Sequence, residues 1–208
     1  MSAADAAAVV ASPLDHLGDP DAAIRRLAVS LLAGRVAETD ITDRLLALLA
    51  DDPDGAVRAE AAEILGAVQA AVVVQALLAS CGDEDPRVVE AAITALGEQP
   101  PAAAIVATVT AAAIDGGADK LVREAAVAAL GSLADPASVP VLLDLLVAGP
   151  PQIRRRAVVA LTVFDHPAIE PALRAAATDR NPMVREVAEM VVGHQRHDAG
   201  AGSLEPPG

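Results

Sequence analysis

The sequence predicts an all-α solenoid of about six stacked two-helix repeats. One motif recurs: an aliphatic residue, usually arginine next, alanine at the fourth place after the aliphatic residue, an aliphatic residue at the eighth and often glycine at the ninth. Six copies follow one another at spacings of 31 to 34 residues, which is typical of helical repeats. Their opening residues are Ile24, Val57, Val88, Val122, Ile153 and Val184.

Three columns of this alignment describe the helix that carries the motif, which we name the motif helix. The arginine column is complete except in the third copy, where Val89 stands: Arg25, Arg58, Arg123, Arg154 and Arg185. The fourth-place column is always alanine: Ala28, Ala61, Ala92, Ala126, Ala157 and Ala188. Because overpacking costs about 1–3 kcal/mol, this column predicts helices that approach too closely for a larger side chain. The eighth-place column lies on the same face: Leu32, Leu65, Leu96, Leu130, Leu161 and Val192.

Prolines, acids and glycines mark the predicted ends of the motif helices. Prolines that suit a first helical turn precede five opening residues: Pro20, Pro53, Pro86, Pro151 and Pro182. Candidate N-caps stand directly before four of them: Asp19, Asp52, Asp85 and Asn181. Glycines at the ninth place are expected to end the motif helices: Gly66, Gly97, Gly131 and Gly193.

A second helix is predicted after each of the first five motif helices, and we name it the intervening helix. Apolar residues at helical spacing place these helices at residues 41–50, 71–81, 102–114, 138–147 and 168–177. We expect the motif helix to open each repeat and the intervening helix to close it. The chain then divides into an N-terminal capping segment (1–18), a repeat solenoid (19–193) and a disordered C-terminal tail (194–208), since chain ends with Gly, Ser and Pro are often disordered.

Composition and charge argue against several function classes. The chain has 15 Lys and Arg against 29 Asp and Glu, a net charge of -14, and neither Trp nor Tyr. Nucleic-acid binding needs cations and stacking aromatics, so we expect no nucleic-acid partner. The longest apolar stretch, residues 102–114, falls short of the roughly 20 residues that span a bilayer. The acid at Asp5 and the single Cys81 suggest a protein without a signal peptide, in the reducing cytoplasm and with no membrane partner.

Segments 51–66 and 121–131 resemble the HEAT-like repeat of the phycobilisome-lyase type. The first reads Asp-Asp-Pro-Asp-Gly-Ala-Val-Arg-Ala-Glu-Ala-Ala-Glu-Ile-Leu-Gly, and the second reads Leu-Val-Arg-Glu-Ala-Ala-Val-Ala-Ala-Leu-Gly. The resemblance covers roughly residues 19–193 and implies a right-handed α-solenoid. This family includes adaptor proteins, bilin-lyase subunits and appendages of larger enzymes. It therefore implies an architecture rather than one function.

The resemblance also implies that the arginine column is structural. Each arginine would pair with an acid of a neighbouring turn, and the pairs would form a ladder along the stack; ligand binding by these arginines is the alternative. The implied ladder residues are Arg25, Arg58, Arg123, Arg154 and Arg185. Their candidate acidic partners are Asp19, Asp52, Asp85 and Asp119. Arg87 is the candidate substitute in the third copy.

Titratable and nucleophilic residues predict no catalytic, cofactor or metal site. The histidines stand apart from any nucleophile and acid motif: His16, His166, His194 and His197. His194 and His197 could share a helix face as metal ligands, but two ligands make a weak site. Cys81 aligns with the leucines of the intervening helices, which indicates a core position. The acids at 51–54 and 83–85 lack EF-hand spacing and suit helix capping. Residues 154–156, all arginine, are interpreted as a solvated face, with contact to an anion or to an acidic partner as the alternative.

Two functions follow. The first is a non-enzymatic protein-binding scaffold or adaptor, whose partner offers a basic or apolar helical segment. The second, carried only by the resemblance, is an accessory or lyase-like subunit that handles a tetrapyrrole or another cofactor.

The predicted partner site of the scaffold is a concave groove on the intervening helices. Two columns four residues apart share one face of these helices. Their residues are Asp43, Ala47, Gln75, Ala79, Ala107, Ala111, Pro140, Asp144, Pro171 and Ala175. Such small side chains predict a shallow, weakly charged trough that suits an apolar helix or an extended segment. Alternatively, these alanines merely favour helix formation.

Overall fold

The computed structural model describes the backbone of residues 3–201 and the side chains of residues 6–193. This part of the chain is helical and contains no strand, which confirms the predicted all-α solenoid. In chain order the helices are α1 (Ala3–Ala11), α2 (Ala22–Leu31), α3 (Thr39–Asp51), α4 (Gly55–Leu65), α5 (Ala71–Ser80), α6 (Pro86–Gly97), α7 (Ala103–Ile114), α8 (Lys120–Leu133), α9 (Val139–Ala148), α10 (Pro151–Leu161), α11 (Ile169–Ala176) and α12 (Pro182–Ala201). The even-numbered helices are the motif helices, and the odd-numbered helices from α3 to α11 are the intervening helices.

The N-terminal segment packs on the first motif helix. Helix α1 ends at Ala11, and Pro13 begins a short 3₁₀ turn, Pro13–His16. Proline suits this start because it lacks the N–H that a continuing α-helix would need. Val9 and Leu17 are buried, and both elements contact α2. The segment thus takes the place that an intervening helix takes before each later motif helix.

Helix pairing differs from the predicted register. Each intervening helix packs extensively against the motif helix that follows it and little against the one that precedes it. The two-helix unit is therefore an intervening helix followed by a motif helix, with α1 and its 3₁₀ turn before α2 as the first unit. The prediction that the motif helix opens each repeat is wrong. Periodicity in the sequence gives the length of a repeat but does not say which neighbour a helix packs against.

The alanine column lies at the centre of the packing. All six alanines are 0% exposed. The eighth-place residues, five leucines and Val192, are buried one turn further along the same face. The stack therefore depends on a row of methyl groups flanked by a row of larger aliphatic side chains, as the columns predict.

Three of the ninth-place glycines also have a packing role that the sequence analysis did not predict. None of the glycines in the described residues has a positive φ angle, and Gly131 lies inside α8 rather than after it. A Cβ atom on Gly97 would lie 2.9 Å from Cβ of Ala129, and one on Gly131 would lie 2.9 Å from Cα of Ala160. Gly66 faces Ala95 in the same way, at 3.0 Å. The expectation that these glycines end helices holds for Gly66, the C-cap of α4, and for Gly97, the last residue of α6. It is wrong for Gly131 and Gly193, which lie inside α8 and α12. At Gly66, Gly97 and Gly131 the missing side chain lets successive motif helices touch.

The last motif helix carries a charged residue at one place where the earlier motif helices bury an apolar residue. The place after the column alanine is buried and apolar in the first five copies: Val29, Ala62, Ile93, Val127 and Val158. In the sixth copy the same place is the exposed Glu189. A polar outer face is what a terminal repeat needs. The backbone of α12 continues to Ala201, past the predicted boundary at 193. Side chains after 193 and all of 202–208 lie outside the described residues, so disorder of the tail stays a prediction.

Candidate functional site

Three arginines of the column form bidentate ion pairs with an aspartate of the next repeat. Their Nε and Nη2 atoms donate to the two carboxylate oxygens, from Arg25 to Asp52 at 2.8 and 2.7 Å. The same bonds run from Arg58 to Asp83 at 2.9 and 2.7 Å. Arg154 donates to Asp179 at 2.8 and 2.7 Å. Each pair joins two successive repeats, so the pairs form rungs of a ladder along one edge of the stack.

The third guanidinium nitrogen ties each arginine to the start of its own motif helix. Nη1 of Arg25 donates to the carbonyl oxygen of Asp19 at 2.8 Å, and Nη1 of Arg58 donates to that of Asp52 at 2.9 Å. Nη1 of Arg185 donates to the carbonyl oxygen of Asp179 at 2.7 Å. Asp52 and Asp179 therefore each receive one arginine on the side chain and the next arginine of the column on the backbone carbonyl.

The rung aspartates all lie five residues before the opening residue of a motif helix. Of the predicted acidic partners, Asp52 pairs with an arginine of the column. Asp83 and Asp179 also pair with arginines of the column, and the sequence analysis missed both. The side chain of Asp19 accepts from the N–H of Asp21 instead. Asp85 and Asp119 cap the N-termini of α6 and α8, so pairing them with the column was wrong.

The ladder is interrupted in the middle of the array. In the third copy Val89 replaces the arginine, and Arg87 is not a substitute because it pairs with Asp85 of its own loop. In the fourth copy Arg123 makes only a 3.4 Å hydrogen bond, from Nε to the carbonyl oxygen of Ala113. The position that should supply its aspartate is Ala148. The sequence has alanine instead of aspartate at this position. That difference can be recognised from the sequence only when the position of the rung aspartates is known.

The arginines hold the rung carboxylates in their charged form. Hydrogen bonds from Arg58 lower the pKa of Asp83, and hydrogen bonds from Arg154 lower the pKa of Asp179. Burial raises the pKa of Asp52, but hydrogen bonds from Arg25 and from the backbone N–H of Asp54 outweigh burial, and the net pKa is lowered. These side chains are therefore acceptors at neutral pH.

The lowered pKa values predict that the protein loses stability in acid. A carboxyl whose pKa is lower in the folded state stabilises the fold fully above its unfolded pKa of about 3.9, at about 1.4 kcal/mol per pKa unit. That contribution disappears as the pH falls through the folded pKa. In urea titrations at pH 7 and pH 3, Asp83→Asn and Asp179→Asn should therefore show a smaller stability difference than the wild type. An unchanged difference in the rung variants would contradict the assignment.

All ten residues predicted to line a groove on the intervening helices are exposed. We name them the outer stripe. Gaps open beside it: a cavity of about 590 Å³ borders Ala47, one of about 300 Å³ borders Ala79, and one of about 270 Å³ borders Gln75. The largest also touches Arg25, Asp52 and other charged residues at the end of the ladder. It is lined by both cations and acids, and Arg25 is already paired with Asp52.

The packing of the helix rows bears on which side of the stack carries the outer stripe. Successive motif helices contact one another extensively, whereas successive intervening helices touch only in part. In a curved stack, the row of helices with the shorter spacing lies on the inner side. We therefore infer that the motif helices form the concave side, which differs from the predicted concave position of the intervening helices. Binding by the outer stripe itself stays a prediction.

The motif helices present a second exposed stripe, at the second, sixth and tenth places after the opening residue. We name it the inner face and define it by Ala59, Glu63, Ala67, Glu90, Thr94, Glu98, Glu124, Ala128, Ser132, Arg155, Val159 and Val163. All of these are exposed or half-buried. Among the described contacts Glu63, Glu90 and Glu98 form no ion pair, whereas Glu124 lies 3.7 Å from Nζ of Lys120 and 3.8 Å from Nε of Arg156. The sequence analysis did not select this face.

The run of three arginines does not form one basic surface. Arg154 is 2% exposed and belongs to the ladder. Arg155 is half-buried, and Arg156 is exposed beside Glu124. The solvated-face interpretation therefore holds for only part of this run.

Nucleophilic and metal-binding groups do not converge. Burial raises the pKa of Cys81 to about 11, so its thiol is protonated at neutral pH. Nδ1 of His16 lies 3.7 Å from a carboxylate oxygen of Asp19, and Nδ1 of His166 accepts the N–H of Ala168 at 3.2 Å. Among the described residues no group of three His, Cys, Asp or Glu side chains could hold a metal ion. The side chains of His194 and His197 lie outside that part of the chain. Within it, no helix combines the length and apolar character that crossing a membrane requires.

Comparison with known sequences and structures agrees with this architecture. A sequence model described as HEAT repeats matches residues 10–97 and 76–162, which together cover more than half of the chain. A search of curated proteins finds no match.

Several solved structures share the fold at low sequence identity. YibA of Escherichia coli is 20% identical with a TM-score of 0.65, over 90% of this chain and 71% of that chain. The complex of CpcE and CpcF of phycocyanin lyase from Nostoc sp. PCC7120 is 22% identical with a TM-score of 0.65, over 94% of this chain and 81% of that chain. A designed armadillo repeat protein in complex with the peptide (KR)4 is 16% identical with a TM-score of 0.64, over 88% of this chain and 98% of that chain. At these identities the likeness shows the fold alone.

Proposed function

Because this chain belongs to the HEAT repeat family, we propose that it is a non-enzymatic protein-binding scaffold that holds a segment of another protein against its inner face. The observation that carries the proposal is the continuous exposed stripe of the motif helices, which runs from α4 to α10 on the concave side of the stack. An extended concave surface is the feature that repeat proteins use for binding.

The chemistry of the inner face supports a protein partner. Its alanine, serine and threonine side chains are small, so the backbone or side chains of a partner can approach the helices closely. Glutamates stand beside these small residues on α4, α6 and α8, and two valines follow Arg155 at the last helix of the stripe, so the face offers both polar and apolar contacts. Two of the similar structures point the same way, because one is bound to a peptide and another is a complex of two different chains.

Paired substitutions on the two helix rows test the proposal. The partner would first be captured from an extract of the source organism with the full chain and identified by mass spectrometry. We expect Thr94→Arg with Ala128→Arg to weaken partner binding at least about tenfold, because two long cations would occupy the inner face. Ala79→Arg with Ala111→Arg adds the same charge to the outer stripe and is expected to bind the partner normally. Calorimetry gives the affinities, and circular dichroism verifies that both variants fold.

The opposite outcomes are equally informative. Loss of binding only in the Ala79 and Ala111 variant would overturn the inner face and assign the outer stripe. Unchanged affinity in both variants would contradict binding by either row of helices.

The second candidate is an accessory subunit that handles a tetrapyrrole. It is favoured only by the structural likeness to CpcE and CpcF, whose name refers to phycocyanin lyase. The described His and Cys side chains do not converge on one face, so no pigment site is defined by them. An absorbance spectrum of the protein purified from its source organism separates the two functions, because a retained pigment would absorb visible light.

A further inference from the structure

The charge of the inner face differs between its two ends, and this difference indicates the chemistry of the partner. On α4 and α6 its charged members are Glu63, Glu90 and Glu98, and the stripe on these two helices includes no lysine or arginine. Glu60 stands beside it on α4. The cations near these helices are already engaged, because Arg58 pairs with Asp83 and Arg87 pairs with Asp85. This end of the face therefore has negative charge that no described side chain neutralises.

At the other end of the inner face, which includes Glu124 and Arg155, two exposed valines border a cavity. A cavity of about 270 Å³ lies between α8 and α10. Val159 and Val163, which line it, are 52% and 57% exposed. Gly131 and Ala160, the pair at close approach, also line it. Ser132 and Arg156 stand at its polar side.

The size of this cavity decides what it holds. Sites for drug-sized ligands and cofactors occupy about 300–1,000 Å³, so a cavity of about 270 Å³ is too small for most of them. Exposed valines around a concave site are suited to one buried aliphatic or aromatic side chain. Such an anchor residue, surrounded by polar contacts, is the usual form of a binding hot spot.

We propose that the inner face binds a basic segment of another protein that also carries one large apolar residue. Lysine or arginine side chains of the segment face the glutamates of α4 and α6, and the apolar side chain fills the cavity between α8 and α10. Charge complementarity selects the partner and increases the association rate, while burial of the anchor supplies affinity. This inference rests on the proposed scaffold function and adds the chemistry and the orientation of the partner.

Synthetic peptides test the two parts separately. The first probe, the plain peptide, has eight residues of alternating lysine and arginine. Two further peptides carry one added leucine, one at the N-terminus and the other at the C-terminus. Fluorescence anisotropy at low salt gives the affinities. We expect the plain peptide to bind weakly. A leucine at one end should strengthen binding about tenfold and a leucine at the other end should not, because only one of the two leucines reaches the cavity.

Two charge-reversal variants distinguish a specific site from general attraction to an acidic protein. Glu63→Lys with Glu90→Lys should weaken binding of all three peptides about tenfold or more. Asp40→Lys with Glu84→Lys changes the net charge by the same amount at exposed positions off the inner face, and should weaken binding about twofold at most. Equal losses in both variants would overturn the proposal, since they would mean unspecific attraction.

A cavity-filling variant tests the anchor. Ser132→Phe should abolish the gain from the added leucine and leave the plain peptide unaffected, with an unchanged melting temperature as evidence of folding. No gain from leucine at either end of the peptide in the wild type would overturn the anchor. A native partner that the wild type captures, and that none of these peptides displaces, would overturn this inference while leaving the scaffold function intact.

Discussion

Replacing Arg154 with alanine is expected to lower the free energy of unfolding by about 3 kcal/mol. The guanidinium of Arg154 makes two hydrogen bonds to Asp179 and one to the carbonyl oxygen of Gly149, all at 2.7 to 2.8 Å. Its removal leaves a buried carbonyl oxygen without its donor and a carboxylate without its cation. We take the lower end of the about 3–5 kcal/mol found for buried pairs, because Asp179 is 13% exposed and water can reach it.

Arg123→Ala is the matched control, since it removes the same side chain from the same column. Arg123 has one long hydrogen bond and no carboxylate partner among the described residues, so we expect a loss below about 1 kcal/mol. Urea denaturation at pH 7 measures both losses. Equal shifts of the two midpoints would show that the ladder contributes nothing beyond the packing of the arginine stem.

Gly131→Val is expected to destabilise the fold by about 3 kcal/mol, the upper end of the range for overpacking. A Cβ at this position would lie 2.9 Å from Cα and 3.0 Å from Cβ of Ala160. Backbone atoms cannot rotate away as the end of a flexible side chain can, so α8 and α10 must separate. Because their contact is part of the continuous row of motif helices, the separation should also loosen the cavity beside it.

Gly193→Val controls for the effect of valine on the helix itself. Gly193 occupies the same ninth place in the last copy, and nothing lies within 4 Å of an added Cβ atom. Valine has a better helix propensity than glycine, so the stability should be unchanged or slightly higher. Thermal denaturation of both variants gives the comparison. A comparable loss at Gly193 would assign the effect at Gly131 to valine in a helix rather than to the contact with Ala160.

The glycine and alanine columns show where sequence reasoning was sufficient and where it was not. The invariant alanine column predicted close packing correctly, because only a contact restricted in space excludes every larger residue in six copies. Glycine has two common uses in helical proteins, as the residue after a helix and as a site of close approach. The second use was detectable, because the copies that follow Gly66, Gly97 and Gly131 have alanine two places earlier than the glycine column: Ala95, Ala129 and Ala160.

The ladder was predicted in part. The family resemblance implied that each arginine of the column pairs with an acid of a neighbouring turn, and Asp52 was among the candidate partners. Aspartates are abundant in these loops, however, and some cap helices while others face an arginine. Only the geometry separates Asp83, which accepts from Arg58, from Asp85, which caps α6 two residues later.

By itself the sequence determined the repeat length, the helical class, the buried columns and the exposure of the outer stripe. These follow from periodicity, because the direction of a side chain from a helix axis depends only on its place in the helix. The tertiary structure alone decided which helices pair, which row lies on the concave side, and hence where the acidic and apolar parts of the inner face stand. Those properties depend on the distance between helices a full repeat apart, and that distance is set by contacts such as Gly131 with Ala160 rather than by any local pattern.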